Sequence, residues 1–316
     1  MNTKNIKTAI IILLIIANAF FIYSIVDLKI KSDNLPSEMI DNAVNILGEN
    51  GFITPKNIIP AKKCVNPIYE GIYSQNIYSD IIGKISSFSE EELKNEDFML
   101  IPGGISYSAK DYKYIFSDSD YFRITVIDKL YIKAEKDFID LDNEALLQTQ
   151  LLSEKGIDAA NDGKVKKAGK IIGNFIKKFP NQNGKTGFEI IGFTEDLSES
   201  CERVLITQTI DRLPVDSNIV YIEIQDGKIK YFSGRWYFGE FAAKYSMPLL
   251  DSVNILFKCT EQDGVIVQNN GNLEEMDCEY TIMRHGTEGF YFVPSWKIVL
   301  ESGKKLSYNM ITGKKN

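Results

Sequence analysis

Histidine is almost absent from this chain of 316 residues, with His285 the only one. A single imidazole rules out any site that needs two, among them the HExxH zinc proteases and His-rich metal centres. No sign of charge dominates either: 36 Lys+Arg stand against 43 Asp+Glu, a net charge of −7, with no long acidic or basic tail. That balance argues against a nucleic-acid binder whose affinity rests on phosphate contacts. The four cysteines, Cys64, Cys201, Cys259 and Cys278, include no C-x-x-C pair, so neither a zinc ribbon nor a thioredoxin-like motif is present. Their even number permits two disulfides, with Cys259 and Cys278 the first pair to test. A chain of this length does not need staples, and small buried hydrophobes are the simpler reading.

Catalytic motifs are missing as well. No serine carries the flanking glycines of a G-x-S-x-G elbow, so a hydrolase triad lacks its first member. Asn183-Gly184-Lys185-Thr186 imitates the end of a phosphate-binding loop, but Phe179 stands where the first glycine is required. Asp118-Ser119-Asp120 lacks the glycine and distal glutamate of a calcium loop and reads as a solvated turn. His285 beside Gly286 reads as a strand-end or loop histidine. The expectation is a non-enzymatic protein with no catalytic residue, no metal and no cofactor.

What is present begins at the amino terminus. From Thr8 to Val26 no residue is charged, and these about 19 residues come close to the roughly 20 that a helix needs to cross a bilayer. Lys4 and Lys7 precede the run, whereas Asp27, Lys29, Lys31 and Asp33 cancel after it, which leaves the amino terminus in the cytoplasm and the remainder outside. Ala17-Asn18-Ala19 has the small-x-small form of a signal-peptide cleavage site. The apolar run continues to Val26, however, which favours an uncleaved single-pass anchor in the plasma membrane. Asn18 sits near mid-span between the small residues Ala17 and Ala19, a pattern suited to association with another membrane helix.

After the anchor, Pro36, apolar Met39, Ile40, Ala43, Val44 and Leu47, and Gly51 describe an amphipathic helix with start and stop signals. Short alternating runs such as 112–116 and 121–127 then read as antiparallel strands. Residues 146–152 resume helical spacing. Val165, Ala168, Ile171, Ile172, Phe175, Ile176 and Phe179 then form one helical stripe that Pro180 ends, and Lys164, Lys166, Lys167, Lys170, Lys177 and Lys178 crowd its polar side. Such a face is most simply solvated, and its functional reading is a surface for anionic lipid, wall polymer or an acidic partner. Further on, alternating residues 219–224 and Asp226-Gly227 give the best hairpin signal. Pro248 opens a helix with Leu250, Val253, Leu256 and Phe257 inward, strands follow near 264–268, 278–284 and 290–300, and Ser302-Gly303 makes a second hairpin turn. Trp236, Tyr237, Phe238, Phe241 and Tyr245 cluster around Gly234 and Gly239; core packing is the default, and any exposed part is a docking surface.

Two stretches carry a resemblance. The run from Gln208 through Pro214-Val215, followed by Val220 to Asp226-Gly227-Lys228-Ile229, resembles the strand, "x-x-Pro-Val" corner and Asp-Gly hairpin of PepSY-like domains. Phe292-Val293-Pro294-Ser295-Trp296-Lys297-Ile298, with Ser302-Gly303, Tyr308-Asn309 and Thr312-Gly313, resembles their Pro-x-Trp-(Lys/Arg) strand and final Thr-Gly turn. Joined to the signal anchor, the helix ending at Asn50-Gly51 and Ile59-Pro60, the chain is similar to the YycI and YycH type of regulatory protein found beside the WalK (YycG) sensor histidine kinase of the WalK/WalR (YycG/YycF) two-component system in Gram-positive bacteria.

The resemblance implies an α+β architecture: an amino-terminal transmembrane helix followed by tandem antiparallel sheets, each packed against helices. The corresponding division is 1–27 for cytoplasmic stub and anchor, 28–140 for a first extracytoplasmic α+β module, and 141–316 for a region with two PepSY-like helix-plus-hairpin units. It implies a membrane-anchored regulator that contacts the sensor histidine kinase, and a sister YycH-type regulator, through its membrane segment and external domain. Ala17, Asn18, Ala19, Trp236, Tyr237 and Phe241 are the candidate contact residues. The competing function is a propeptide-like or chaperone module that restrains a secreted hydrolase through a sheet edge or groove.

Overall fold

A computed structural model describes residues 15, 18, 20–24, 29, 33–49, 51–72, 80–83, 99–101, 104–109, 112–117, 121–126, 162–179, 185–196, 201–238, 241–245, 247–263, 272–285 and 289–316. Its helices are α1 (Ser37–Glu49), α2 (Asp162–Ile176) and α3 (Ser252–Asp263). Its strands are β1 (Ile68–Ile72), β2 (Met99–Ile101), β3 (Gly104–Ala109), β4 (Tyr112–Ser117), β5 (Tyr121–Val126), β6 (Thr186–Asp196), β7 (Cys201–Ile210), β8 (Leu213–Gln225), β9 (Lys228–Arg235), β10 (Phe241–Tyr245), β11 (Leu273–His285), β12 (Gly289–Leu300) and β13 (Lys305–Asn309). Ala17, Ala19 and the stretches 118–120, 146–152 and 264–268 lie outside the described residues. The chain divides into two compact units, each discontinuous in sequence: Met1–Asn66, Met247–Cys278 and Pro294–Asn316 form the first, and Pro67–Ser246 and Glu279–Val293 the second.

In the first unit the period-3.6 pattern of α1 buries Ile40, Ala43 and Leu47. Its end is a Schellman motif. Gly51, at φ 86°, donates its N–H to the Gly48 carbonyl at 3.0 Å, and Phe52 donates to the Leu47 carbonyl at 2.9 Å. Phe52 thereby turns into the core beside Leu47. Helix α3 starts later than Pro248 suggests, because Asp251 is its cap: the carboxylate accepts the Asn254 N–H at 2.8 Å and satisfies one of the orphan donors of the first turn. Val253, Ile255, Leu256 and Cys259 of α3 pack with α1 over Trp296, Ile298 and Leu300 of β12 and Leu306 and Tyr308 of β13. The indole of Trp296 donates to the Leu250 carbonyl at 2.9 Å, so this large buried ring leaves no polar atom unmet.

The second unit is a mixed, branched sheet. Its strands run β10-β1-β12-β11-β8-β9-β5-β4-β3-β2, with β12 contributing 289–293 and β11 contributing 279–285, and with β7 also on β8 and β6 on β7. Strand β1 is antiparallel to β10 and β12, and the pairs β2–β3, β3–β4, β4–β5, β5–β9, β6–β7, β7–β8 and β8–β9 are antiparallel, whereas β11 meets β8 in parallel at Tyr280 and Val215. Strand β8 makes the branch possible. Its start lies beside β11, whereas its second half, from Val220, is flanked by β7 and β9, with Ile222 opposite Val204 on one side and Phe232 on the other. Alternation then sorts the side chains. Val220, Ile222 and Ile224 enter the main core with Ala168, Ile172, Phe175 and Ile176 of α2, while Tyr221 enters a smaller cluster with Leu205 on the opposite face. Gly234 of β9 has φ 149°, and a Cβ there would collide with the Ile219 carbonyl and Val220 Cα, so only glycine permits this approach of β9 to β8.

This arrangement corrects the expected architecture. The strands do not form tandem sheets of repeated hairpin units; β1 enters between β10 and β12, and β11 joins β8 in parallel. Turns act locally and signal hairpins, but these insertions are settled by long-range pairing that no local pattern encodes. The expected amino-terminal transmembrane helix is not found either: among the described residues no helix is long and apolar enough to cross a membrane.

Candidate functional site

The aromatic group singled out in the sequence lies in the interior of the second unit. Trp236 is 1% exposed and packs edge-on to Phe179 of the main core, with ring centroids 5.9 Å apart. Tyr237 and Phe241 are also buried, in a separate cluster with Tyr69, Tyr280, Phe290 and Phe292. Phe241 meets Phe292 edge-to-face at 5.0 Å, the geometry that the ring quadrupoles favour. These three residues therefore present no docking surface. Asn18 is helical and exposed.

The backbone of Tyr237 is tied to a buried polar node that the sequence pattern did not disclose. Gln208 is fully buried where the β7–β8 register shifts between Thr207 and Thr209. Its Nε2 donates to the Tyr237 carbonyl at 2.9 Å, and its Oε1 accepts from the Tyr237 N–H at 3.0 Å and from Asn218 Nδ2 at 2.7 Å. One amide thus satisfies polar groups that the interrupted ladder leaves over.

A second node surrounds the β7–β8 turn. Asp211 and Arg212 occupy it at φ 46° and 71°, the conformation that Asp226 and Gly227 adopt between β8 and β9. A type I′ hairpin turn demands positive φ at both positions, which Gly meets without cost and Arg does not. The turn is clamped: the Tyr69 phenol donates to Asp211 Oδ2, Lys185 Nζ donates to Tyr69 Oη at 3.1 Å, and the Asp211 N–H reaches the Lys185 carbonyl at 2.9 Å. Burial, reinforced by the bond to Asp211, pushes the Tyr69 phenol above its ordinary value, and the bond to Tyr69 raises Lys185. The phenol is therefore a neutral donor, suited to holding a strained turn rather than to proton transfer. Lys185, which imitates a phosphate-loop lysine in sequence, is engaged here.

Helix α2 is an exposed feature of the second unit. Ala168, Ile172, Phe175 and Ile176 bury one side, and Lys164, Lys166, Lys167 and Lys170 project on the other, with Lys177 and Lys178 following in the closing turn, all exposed. The sequence stripe foretells both faces, because residues three and four apart share a side of a helix. Four cations on α2 and two in its closing turn, in a chain of net charge −7, make a concentrated positive surface.

No known family profile matches the chain, and no curated protein matches it. Among solved structures it aligns with an uncharacterized protein from Eubacterium rectale ATCC 33656 at 13% identity, over 82% of this chain and 87% of that one, with a TM-score of 0.47. It also aligns with the Bacillus megaterium YpeB C-terminal domain at 11% identity, over 78% of this chain and 96% of that one, with a TM-score of 0.31.

Proposed function

We propose that the protein is a non-enzymatic regulator of a sensor histidine kinase of a two-component system, in the manner of the YycI and YycH type with PepSY-like external modules. It acts at the extracytoplasmic face of the plasma membrane by protein contact, with its amino terminus in the cytoplasm and a sister YycH-type regulator as a second partner. The observation that carries this reading is the lysine face of α2, whose direction the buried stripe fixes; such a face suits an acidic protein surface. The apolar side chains of Ile15, Phe20, Phe21, Ile22 and Tyr23, 62% to 70% exposed, support a place at the membrane. Regulation of this kind needs a coupling of roughly 1 to 3 kcal/mol between kinase states.

The test is cross-linking and recovery from native membranes, comparing the native chain with Lys166→Glu, Lys167→Glu, Lys170→Glu and Lys178→Glu combined. Charge reversal on a docking face lowers the association rate at least tenfold at low salt, and the loss shrinks as salt is added. A sensor kinase recovered with the native chain and lost with the variant supports the proposal. Kinase recovery indifferent to the four changes removes it, and recovery of a secreted hydrolase instead moves the function to the propeptide-like class.

A further inference from the structure

Cys64 and Cys278 are about 210 residues apart in sequence, beyond the reach of any spacing rule. The fold of the first unit packs both against the same core, close enough for each thiol to act on the other, and Cys64 Sγ also lies 3.6 Å from Asn66 Oδ1. Cys278 lies on β11. Cys64 follows residues 61–63, which are fastened to the approach to α1: the Leu35 N–H donates to the Ala61 carbonyl at 2.7 Å and the Lys63 N–H to the Asp33 carbonyl at 2.8 Å. Both thiols are free and half-buried, whereas Cys201 and Cys259 are buried. Two thiols that act on each other directly have the side-chain approach from which a disulfide closes.

We propose that Cys64 and Cys278 form a reversible disulfide, a thiol oxidation site in the first unit whose co-reactant is an organic disulfide. Cys64 is the attacking group. The hydrogen bond from Cys278 holds its thiol down at about 7, with help from the Asn66 backbone and the charge of Lys62, and burial opposes the shift without cancelling it. The Cys278 thiol is pushed up by the same contact and by burial, and keeps its proton. Cys64, having released its proton to solvent, attacks one sulfur of the oxidant; the first thiolate leaves and a mixed disulfide forms. Cys278 then attacks Cys64 Sγ, its proton passing to the second departing thiolate. The balance is two protein thiols and one disulfide giving one protein disulfide and two small thiols. The bridge ties the segment leading from α1 to β11, and it holds whichever partner the chain contacts.

The experiment uses the full chain incubated with oxidised glutathione, then denatured and alkylated. Trypsin alone leaves Cys259 and Cys278 on one peptide, so Glu-C is added to separate them before mass spectrometry. The expected result is a Cys64–Cys278 cross-linked peptide, reversed by dithiothreitol, with Cys201 and Cys259 alkylated. Cys64→Ser and Cys278→Ser, near-isosteric and checked for native circular dichroism, each abolish the cross-link, and Cys278→Ser leaves a glutathione adduct on Cys64. Four alkylated cysteines after oxidation, or a cross-link through Cys201 or Cys259, overturns the proposal.

Discussion

Replacing Gln208 by Leu keeps the shape of the side chain and removes its amide, and the geometry sets the cost. Three buried groups lose their bonds to it: the Tyr237 N–H, the Tyr237 carbonyl and Asn218 Nδ2. An unmet buried polar group costs about 1 to 3 kcal/mol, so three give a nominal loss of about 3 to 9 kcal/mol. Burying the added methyls of Leu offsets roughly 1 kcal/mol of that, and partial relaxation favours the lower end. The expected loss is about 3 kcal/mol, read as a fall in urea midpoint at unchanged slope. Asn218→Leu alone costs less, because Asn218 Oδ1 already lacks a partner. In the double variant the Asn218 amide no longer needs one, so the two losses fall short of additivity by about 1 kcal/mol. A single-variant loss below about 1 kcal/mol, or strict additivity in the cycle, refutes the assignment of Gln208 as the member that satisfies the node.

Two further outcomes follow from strain and from charge. Arg212→Gly relieves a non-glycine residue at φ 71° and raises stability by about 1 kcal/mol in the same urea titration, since the Tyr69–Asp211 clamp does not use the Arg212 side chain. Iodoacetamide labelling of native Cys64 rises with pH through about 7 and levels above it, because the thiolate reacts and its pKa is lowered; Cys278→Ala removes the donor and moves the midpoint up toward the ordinary thiol near 8.5. Peptide mapping of the labelled cysteine checks both arms.

What the sequence discloses here is what forms within one element or one turn. The stripes of α1 and α2, the glycine stop at Gly51 and the Asp226-Gly227 hairpin each depend on neighbours a few residues away, and each is found. The sheet order is of another kind. Nothing near Ile68–Ile72 says that β1 sits between β10 and β12, because the partners are recruited from more than a hundred residues downstream. The contact residues divide the same way. The lysine face of α2 follows from helical period, whereas Trp236, Tyr237 and Phe241 form a compact group in sequence, yet the sheet buries Trp236 in one core and the other two in another. Gln208, Tyr69 and the Cys64–Cys278 meeting are invisible to spacing, since each joins residues that only the closed fold makes neighbours.

The discontinuity of the first unit has a consequence for biosynthesis. Its opening segment, through Asn66, carries the apolar face of α1, whose core is completed by residues of Met247–Cys278 and Pro294–Asn316. At about 5 to 20 residues per second, the intervening stretch of about 180 residues keeps Ile40, Ala43 and Leu47 waiting roughly 10 to 40 s for a surface to cover them. During that interval the nascent chain displays a sticky helix. The order in which this chain is read therefore makes its last strands the ones that close the first unit.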